Sequence, residues 1–318
     1  MNEIEKDFRY SQTFSDAIML EERLKKEKRC GSGVFDLKNK TLFVENIPFV
    51  YDFFKDLLLV SGIYGDWHKN ALQVRIRHES WNFANLPAQF DGFRILQISD
   101  IHIDALPELS DIIPTLMRQV DFELCVFTGD FRFDIHCSNE RIDDLLKPII
   151  ATANQAEFPA LGILGNHDYL DYTLDNVAGL GLKFLLNESI ELKRGDDKIL
   201  ITGLDDVHYY RTGRLFDQRD AITEAGYKLL LIHSPEYIKE AALYSYDLYL
   251  CGHTHGGQLC LPGGIPVISN SRSASKYNRG RWQFGKMQGY TSLGCGASGI
   301  PLRWNCPPEM VIHHLRRK

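Results

Sequence analysis

Carboxylate, amide and imidazole side chains recur in the sequence directly after short apolar runs, in a pattern that suits metal chemistry. They are Asp100, His102, Asp130, Asn166, His167, His233, His253 and His255. Carboxylate and amide oxygens and neutral imidazole nitrogens are ligands that Mn, Fe and Zn ions accept. The set contains enough ligands for two divalent ions that share one carboxylate. Two ions about 3.5–4 Å apart are a common device for hydrolysing phosphate esters, and a nearby histidine can then protonate the leaving oxygen.

The apolar runs that precede these residues predict buried strands. They fall within 94–100, 124–130, 160–168, 199–206, 229–236 and 248–255. Short runs rich in Ile, Leu and Val are typical of strands that are buried on both faces. Helical spacing over 109–120 and 142–153 alternates with the first of these runs, which predicts an α/β fold. Such sheets place their sites at the carboxyl ends of the strands, where the polar residues lie.

The composition excludes several classes of protein. The chain has 318 residues and a net charge of −6, so it lacks the global basic surface of a nucleic-acid-binding protein. Its seven cysteines include no C-x-x-C pair, which argues against a disulfide scaffold and a structural zinc site. The N-terminus is charged, and no uncharged apolar run of about 18 residues occurs. We therefore expect a cytoplasmic protein without a signal peptide or a spanning helix.

Residues 1–80 differ in texture from the rest of the chain and predict an N-terminal helical arm, followed by a main domain over 81–318. The charge-dense stretch from Ser15 to Arg29 predicts an exposed helix. Residues 48–65 predict an amphipathic helix with a narrow polar face and a broad apolar face. Two interpretations of this second helix stay open: it packs on the main domain, or it makes a peripheral contact with a membrane.

The polar motifs resemble those of the calcineurin-like metallophosphoesterase family. They are Asp100-x-His102, Gly129-Asp130, Gly165-Asn166-His167-Asp168, His233 and Gly252-His253-Thr254-His255. The resemblance implies a four-layer α/β/β/α sandwich with a binuclear metal centre at the strand ends. It implies one metal held by Asp100, His102, Asp130 and His255, and a second held by Asp130, Asn166, His233 and His253. It also implies that His167 is the catalytic histidine facing the phosphate or the leaving group, and no family ligand corresponds to His208.

One departure from the family pattern bears on the substrate. Phosphoprotein phosphatases of this family extend the second motif to G-D-x-x-D-R, in which the aspartate orients the catalytic histidine and the arginine grips phosphate. Here Phe133 and Asp134 stand at those two places, and Arg132 or Asp134 would have to substitute from another register. Protein phosphatase activity is therefore disfavoured, and the group that orients His167 is left open.

The C-terminal motifs resemble a membrane-associated bacterial branch of the family, related to enzymes that cleave UDP-2,3-diacylglucosamine in lipid A synthesis. They are Gly256-Gly257-Gln258, the glycine-rich segment 294–299, Pro301-x-Arg303 and Pro307-Pro308-Glu309. The resemblance implies that Arg303 contacts the substrate, and a solvated strand residue is the alternative. The segment 271–287 carries five cations, interleaved aromatic residues and no acidic residue. This composition suits an anionic lipid or headgroup, and a solvated loop is the alternative.

These motifs predict a two-metal hydrolase of phosphodiester or pyrophosphate bonds. The expected substrate is lipid-linked, such as UDP-2,3-diacylglucosamine, and the expected location is the cytoplasm with peripheral contact at the inner face of the cell membrane. Mn is the favoured ion for these donors, with Fe, Zn or Ni as alternatives. Two other functions stay open, namely a soluble phosphodiesterase for cyclic nucleotides or glycerophosphodiesters and a non-catalytic scaffold on the same fold. No nucleic-acid partner is expected, and the sequence leaves the oligomeric state open.

Overall fold

The computed structural model describes residues 17–30, 35–36, 41–42, 59–60, 62–134, 137–170, 176–215, 226–267 and 271–318. Its helices are α1 (Ala17–Cys30), α2 (Tyr64–Leu72), α3 (Leu109–Met117), α4 (Asn139–Ala153) and α5 (Ile238–Leu243). Its strands are β1 (Phe35–Asp36), β2 (Thr41–Leu42), β3 (Arg75–Phe83), β4 (Arg94–Ile98), β5 (Leu124–Phe127), β6 (Leu161–Gly162), β7 (Lys183–Phe184), β8 (Glu188–Arg194), β9 (Asp197–Gly203), β10 (Lys228–Leu231), β11 (Leu248–Cys251), β12 (Cys260–Leu261), β13 (Ile265–Pro266), β14 (Gly280–Phe284), β15 (Met287–Thr291) and β16 (Glu309–Arg317).

Two six-stranded sheets carry the main domain. The first has the strand order β3–β16–β4–β5–β6–β7, with β4 to β7 parallel and β16 antiparallel to β4. The second has the order β14–β15–β11–β10–β9–β8, in which β15, β11, β10 and β9 are parallel and both edge strands are antiparallel. The predicted site residues follow the carboxyl ends of β4, β5, β6, β10 and β11. The predicted α/β class is confirmed.

The central strands β4, β5, β10 and β11 are buried on both faces, which gives the sandwich four layers. Along β4, Ile95 packs between the two sheets, whereas Leu96 and Ile98 pack in the cluster formed by α3 and α4. On the outer face of the second sheet, Tyr249 of β11 packs with Ile238 of α5. Neighbouring side chains along a strand point to opposite faces, and both faces are apolar here. The arrangement is therefore the α/β/β/α sandwich that the resemblance implied.

Helix α1 is not the exposed helix that its charge pattern predicted. Met19 and Leu20 are buried in the cluster that also contains α3 and α4. Arg23 is fully buried and donates to Glu27, one turn later, at 2.7 Å. The prediction of exposure was wrong because charged side chains can be buried when they are paired inside the fold. The sequence shows the charges but not their partners.

The predicted 48–65 helix falls mostly outside the described residues, so both interpretations of it stay predictions. The structure describes a helical pair at 59–60 and, from Tyr64, the start of α2. Strand β3 extends across the predicted domain boundary at residue 80. It pairs with β16 of the main sheet over its whole length. Residues from Arg75 onward thus belong to the main sheet. Within the part of the chain that the structure describes, no helix is long and apolar enough to cross a membrane.

Candidate metal centre

Two groups of buried side chains lie next to each other where the strand ends of the two sheets meet. The first group is Asp100, His102 and His255, and the second is Asp130, His233 and His253. In each group the ligand atoms lie within 4.8 Å of one another. Each group has the donor types and the spacing to hold one metal ion. All six residues belong to the predicted ligand set.

Asp130 lies between the two groups. Its Oδ2 is 3.2 Å from Nε2 of His233, in its own group. The same oxygen is 3.5 Å from Nε2 of His102, in the other group. A carboxylate oxygen within reach of ligands from both groups is in the position that a bridging ligand needs. The resemblance implied a shared carboxylate at this position, and that role of Asp130 stays a prediction.

Hydrogen bonds outside the centre orient the imidazole rings. Nδ1 of His102 lies 2.9 Å from the carbonyl oxygen of Arg132, and Nδ1 of His233 lies 2.7 Å from that of Thr128. A carbonyl oxygen only accepts, so Nδ1 carries the proton in each neutral ring and Nε2 presents its lone pair to the centre. Nε2 of His102 also faces Nε2 of His255 at 3.1 Å. Converging lone pairs of this kind fit a metal ion.

The two groups differ in the charge of their histidines when no ion is bound. In the first group, burial lowers the pKa of His102 to about 3 and that of His255 well below its usual value. Both rings are therefore neutral. In the second group, burial by itself would lower the pKa of His233. The carboxylate of Asp130 outweighs burial and raises this pKa above its ordinary value, to about 10. A metal ion must therefore displace a proton from the second group.

Left-handed backbone conformations mark the turns that carry the ligands. Positive φ values occur at Asp100 (52°), His102 (42°), Asp130 (59°), His253 (73°) and His255 (49°). A non-glycine residue in this region costs about 1–3 kcal/mol, and it persists where the surrounding structure holds it. Residues of this kind cluster at functional sites, and five of the ten found among the described residues are candidate metal ligands. No pattern of residue types in the sequence indicated this strain.

Asp168 ties the second motif to the third. Its carboxylate accepts from the backbone N–H groups of Asp130 at 2.8 Å, Phe131 at 2.9 Å and Gly165 at 2.8 Å. A Cβ atom at Gly165 would lie 2.1 Å from Oδ1 of Asp130, so the close approach of the two loops requires glycine. Sequence analysis placed Asp168 in a motif without a role. In the structure, its buried carboxylate positions the loop that carries the central aspartate.

Asn166 and His167 line a cavity beside Asp130. Among the described residues, the buried Oδ1 of Asn166 has no hydrogen-bond partner, which suits an oxygen that binds a cation. The backbone N–H of His167 donates to Oδ1 of Asp130 at 2.9 Å, and its ring is half-buried. Nδ1 of His167 lies 3.3 Å from the carbonyl oxygen of Phe133. A main-chain carbonyl thus contacts the histidine whose orienting group the sequence left open.

Arg132 does not take over the role of the phosphate-gripping arginine. Its guanidinium is buried and donates to the carbonyl oxygens of Asp134 at 2.6 Å and Cys137 at 2.8 Å. These contacts close the loop that follows the second motif. Because the guanidinium donates to main-chain oxygens of its own loop, it does not replace the arginine of the G-D-x-x-D-R motif. The chain therefore departs from the phosphatase pattern at this motif.

The predicted substrate contact by Arg303 is contradicted by the structure. The side chain is fully buried, and Nη2 donates to the carbonyl oxygens of Leu293 and Gly296 at 2.6 Å each. Nη1 donates to the carbonyl oxygen of His255 at 3.2 Å, and Nη2 lies 3.2 Å from Nδ1 of the same residue. A guanidinium enclosed by main chain is not available to a substrate. Arg303 instead fixes the loop that carries His255.

His208 is a neighbour of the centre that sequence analysis left outside the ligand set. Its ring centroid lies 4.2 Å from that of His253, and its Nδ1 lies 2.8 Å from Oε1 of Glu236. It belongs to neither of the two ligand groups found among the described residues. The only signal in the sequence was its place after a predicted strand, and that signal did not define a role.

A cavity of about 230 Å³ opens beside the second group. Ligand residues and apolar residues both line it. The polar side chains include Asp130, Asn166, His167, His253 and His255, and the apolar side chains are Leu259, Val267 and Ile300.

The chain is similar in sequence to a known family and to several bacterial proteins. The family model for calcineurin-like phosphoesterases matches residues 93–257. The uncharacterized metallophosphoesterase YkuE of Bacillus subtilis (strain 168) is 31% identical over 73% of this chain and 82% of its own length. The phosphodiesterase YaeI of Escherichia coli (strain K12) is 29% identical over 76% and 87%. The UDP-2,3-diacylglucosamine pyrophosphatase LpxG of Chlamydia trachomatis (serovar D) is 24% identical over 77% and 90%.

The family match defines a metal-dependent phosphoester hydrolase, and two groups of side chains could each hold one ion. The chain belongs to the calcineurin-like phosphoesterase family. The predicted class of metal-dependent phosphoester hydrolase is confirmed, and the alternative of a non-catalytic scaffold is disfavoured because both groups of potential ligands are present in the described part of the chain.

Proposed function

We propose that the protein hydrolyses a phosphodiester or pyrophosphate bond by means of two metal ions. The observation that carries the proposal is the position of Asp130, whose Oδ2 lies within 3.5 Å of ligand nitrogens from both groups. When bound, the ions supply a water of lowered pKa and positive charge beside the phosphoryl oxygens. The ligands proposed are Asp100, His102, Asp130 and His255 for one ion, and Asp130, Asn166, His233 and His253 for the other.

His167 is proposed as the proton donor to the leaving oxygen. Its ring is half-buried in the lining of the cavity, next to the ligand groups. The carbonyl oxygen of Phe133 faces Nδ1 at 3.3 Å and can only accept. The proton of Nδ1 is therefore directed to the main chain, and Nε2 is the nitrogen that exchanges a proton with the substrate.

The substrate proposed is a lipid-linked phosphoanhydride such as UDP-2,3-diacylglucosamine, which would place the protein in lipid A biosynthesis. Leu259, Val267 and Ile300 give the cavity an apolar lining next to the ligand groups, which suits a molecule that joins phosphates to acyl chains. The name of the relative LpxG describes that activity. A soluble phosphodiesterase is the second candidate, favoured by the name of the relative YaeI.

Mn is the ion proposed for both positions, because the two groups contain only nitrogen and oxygen donors. Fe, Zn or Ni could use the same donors. The location proposed is the cytoplasm, with peripheral contact at the inner face of the cell membrane. The unpaired cysteines of the described residues are compatible with a reducing compartment.

The test compares two substrates on metal-stripped protein to which Mn is returned. Bis-(p-nitrophenyl) phosphate reports the metal chemistry alone, and UDP-2,3-diacylglucosamine reports the lipid-linked substrate. Preference for the lipid substrate would support the whole proposal. Hydrolysis of only the generic diester would retain the two-metal chemistry and favour the soluble phosphodiesterase. Failure to hydrolyse either substrate with any of the four metals would overturn the proposed function.

A further inference from the structure

Exposed apolar side chains are concentrated around one region of the described surface. We call this region the apolar rim; it comprises Leu59, Val60, Ile63, Leu261, Ile265 and Val267. The first three lie at or before the start of α2, and the other three lie on or next to the β12–β13 hairpin. Val60 is 88% exposed and Ile265 is 60% exposed. Among the described residues, the one other large apolar side chain of this kind is Leu243, in α5.

The two parts of the apolar rim are joined by a pair of tryptophans. Trp67 of α2 stacks on Trp304, with ring centroids 4.9 Å apart. The carbonyl oxygen of Trp304 accepts from the backbone N–H of Cys260 at 2.9 Å, at the start of the hairpin. Both rings are half-buried. Tryptophan is enriched where protein meets the boundary between lipid and water, because its ring has an apolar body and a polar N–H.

The apolar rim adjoins the opening of the metal cavity. Val267 is 55% exposed and also lines that cavity. Leu259, whose carbonyl oxygen accepts from the backbone N–H of Val267 at 3.0 Å, lines the cavity as well. The apolar lining of the cavity is therefore continuous with apolar side chains on the outer surface.

The charge beside the hairpin part of the apolar rim is positive. No acidic residue occurs between His255 and Glu309, although the whole chain has a net charge of −6. Arg279 donates from Nη1 to the carbonyl oxygen of Gly264, at the turn of the hairpin. Lys276 is exposed three residues earlier. Acidic neighbours come from other elements, since Glu236 accepts from the backbone N–H of Arg272 and exposed Asp66 lies in the first turn of α2.

We propose that the apolar rim docks on an anionic lipid bilayer, with the opening of the metal cavity turned toward the membrane. This inference rests on the proposed lipid-linked substrate and names the surface through which the protein reaches it. Apolar side chains flanked by cations are the combination that binds an anionic interface, since burial and electrostatic attraction add. The basic segment 271–287 takes the lipid-facing role, and Lys276 and Arg279 lie on the docking side.

The test measures flotation of the full-length protein with vesicles of phosphatidylcholine alone or with added phosphatidylglycerol. The double variant Leu261→Asp, Ile265→Asp should weaken binding to the anionic vesicles at least about tenfold, because two exposed apolar side chains proposed to enter the bilayer interface become two charges. Lys276→Gln should weaken it about fivefold, with a smaller salt dependence. The matched control is Leu243→Asp, which changes an apolar side chain that is 84% exposed on α5 and should leave binding unchanged.

Hydrolysis of bis-(p-nitrophenyl) phosphate without vesicles separates this inference from the proposed function. All three variants should keep the wild-type rate, since none of these residues lines the cavity. Wild-type protein that fails to float with anionic vesicles, or a rim variant that floats as well as Leu243→Asp, would overturn the docking surface while leaving the hydrolase intact. Absence of diester hydrolysis in the wild-type protein would instead count against the proposed function.

Discussion

The two ligand groups are each supported from behind by a buried arginine, and the two arginines are held in opposite ways. Arg303, behind the first group, donates to main-chain carbonyl oxygens of Leu293, Gly296 and His255. Arg23, behind the second group, donates to the carboxylates of Glu27 and Asp205 and, at 2.6 Å, to the carbonyl oxygen of Asp168. Both side chains are 0% exposed.

The difference extends to electrostatics. Burial lowers the pKa of Arg303, whereas the carboxylates of Asp205 and Glu27 outweigh burial and raise the pKa of Arg23. The first group therefore has a cation solvated by peptide dipoles, and its histidines are neutral. The second group has an arginine within an ion network, and its His233 holds a proton against Asp130. The arginine that supports the first half of the centre is held by main-chain oxygens, and the arginine that supports the second half is held by carboxylates. We call these the half built from main chain and the half built from paired charges.

The largest effect is expected from removing the residue that both halves share. Asp130→Asn loses the negative charge and one of the two oxygens that could bridge, so both ions should dissociate and turnover should fall at least about 1,000-fold. Metal analysis of desalted protein and diester hydrolysis measure the two effects. Asp121→Asn is the control, since that side chain is 84% exposed. Retention of two ions per chain in Asp130→Asn would contradict the bridging role.

His167→Ala should separate chemistry from metal binding. Turnover should fall about 100- to 10,000-fold because the leaving oxygen loses its proton donor. The metal content should stay at two ions per chain, because neither ligand group contains His167. The loss should be smaller for a diester with a p-nitrophenolate leaving group, which needs little protonation. Near-normal turnover on an alkoxide-leaving substrate would disprove the assignment.

Arg23→Met tests the half built from paired charges. It leaves the buried carboxylates of Asp205 and Glu27 without their cation, and we expect a loss of about 3–5 kcal/mol in the free energy of unfolding. Adding Asp205→Asn should restore part of that loss, because it removes one of the two unpaired charges. Urea denaturation of the single and double variants measures both. A double variant that is less stable than Arg23→Met would refute the ion-network account.

Arg303→Met tests the half built from main chain. Several carbonyl oxygens lose their donor, and we expect a loss of about 2–4 kcal/mol together with weaker binding of the first ion. Arg303→Lys should rescue little, because an ammonium cannot reproduce the fork of donors. Arg303 differs from Arg23 in that no carboxylate among the described residues accepts a hydrogen bond from it. Neutralising a nearby acid should therefore not restore the stability of Arg303→Met. Unchanged metal titration in Arg303→Met would contradict its link to His255.

The pH dependence of metal binding should also separate the two halves. His233 has a pKa raised to about 10, so the second ion must displace its proton, and affinity should rise about tenfold per pH unit from 6.5 to 9. The first ion should bind with nearly constant affinity over that range, because burial keeps His102 neutral. Calorimetry in two buffers of different ionisation enthalpy counts the protons released. Equal proton release for both ions would contradict the difference between the halves.

The same titration sets a sign for stability without metal. A pKa raised in the folded state means that the pairing of His233 with Asp130 stabilises the fold fully below pH 6.5. That contribution is lost as the pH rises through about 10. The thermal midpoint of metal-stripped protein should therefore fall over this range. The metal-loaded protein should lack this trend.

Much of the fold and the ligand set could be predicted from the sequence. The strands β4, β5, β10 and β11 coincide with apolar runs of the sequence. A local pattern of this kind can be recognised without knowing which residues are in contact. The helix over 139–153 was recognised from its spacing over 142–153. The exposure of α1 could not be predicted, because Arg23 and Glu27 look like surface charges until their partners are known. The role of Arg303 was wrong for the same reason.

The sequence by itself determined which residue types follow each strand, and hence the chemistry of the centre, because strand patterns and motif spacing are local. Only the tertiary structure decided how that centre is supported. Arg23 reaches Asp168 and Asp205 across separations of 145 and 182 residues. The orientation of His167 depends on a backbone carbonyl, which every residue possesses and no residue letter reveals. Contacts between distant segments and contacts of the main chain are properties of the folded chain alone.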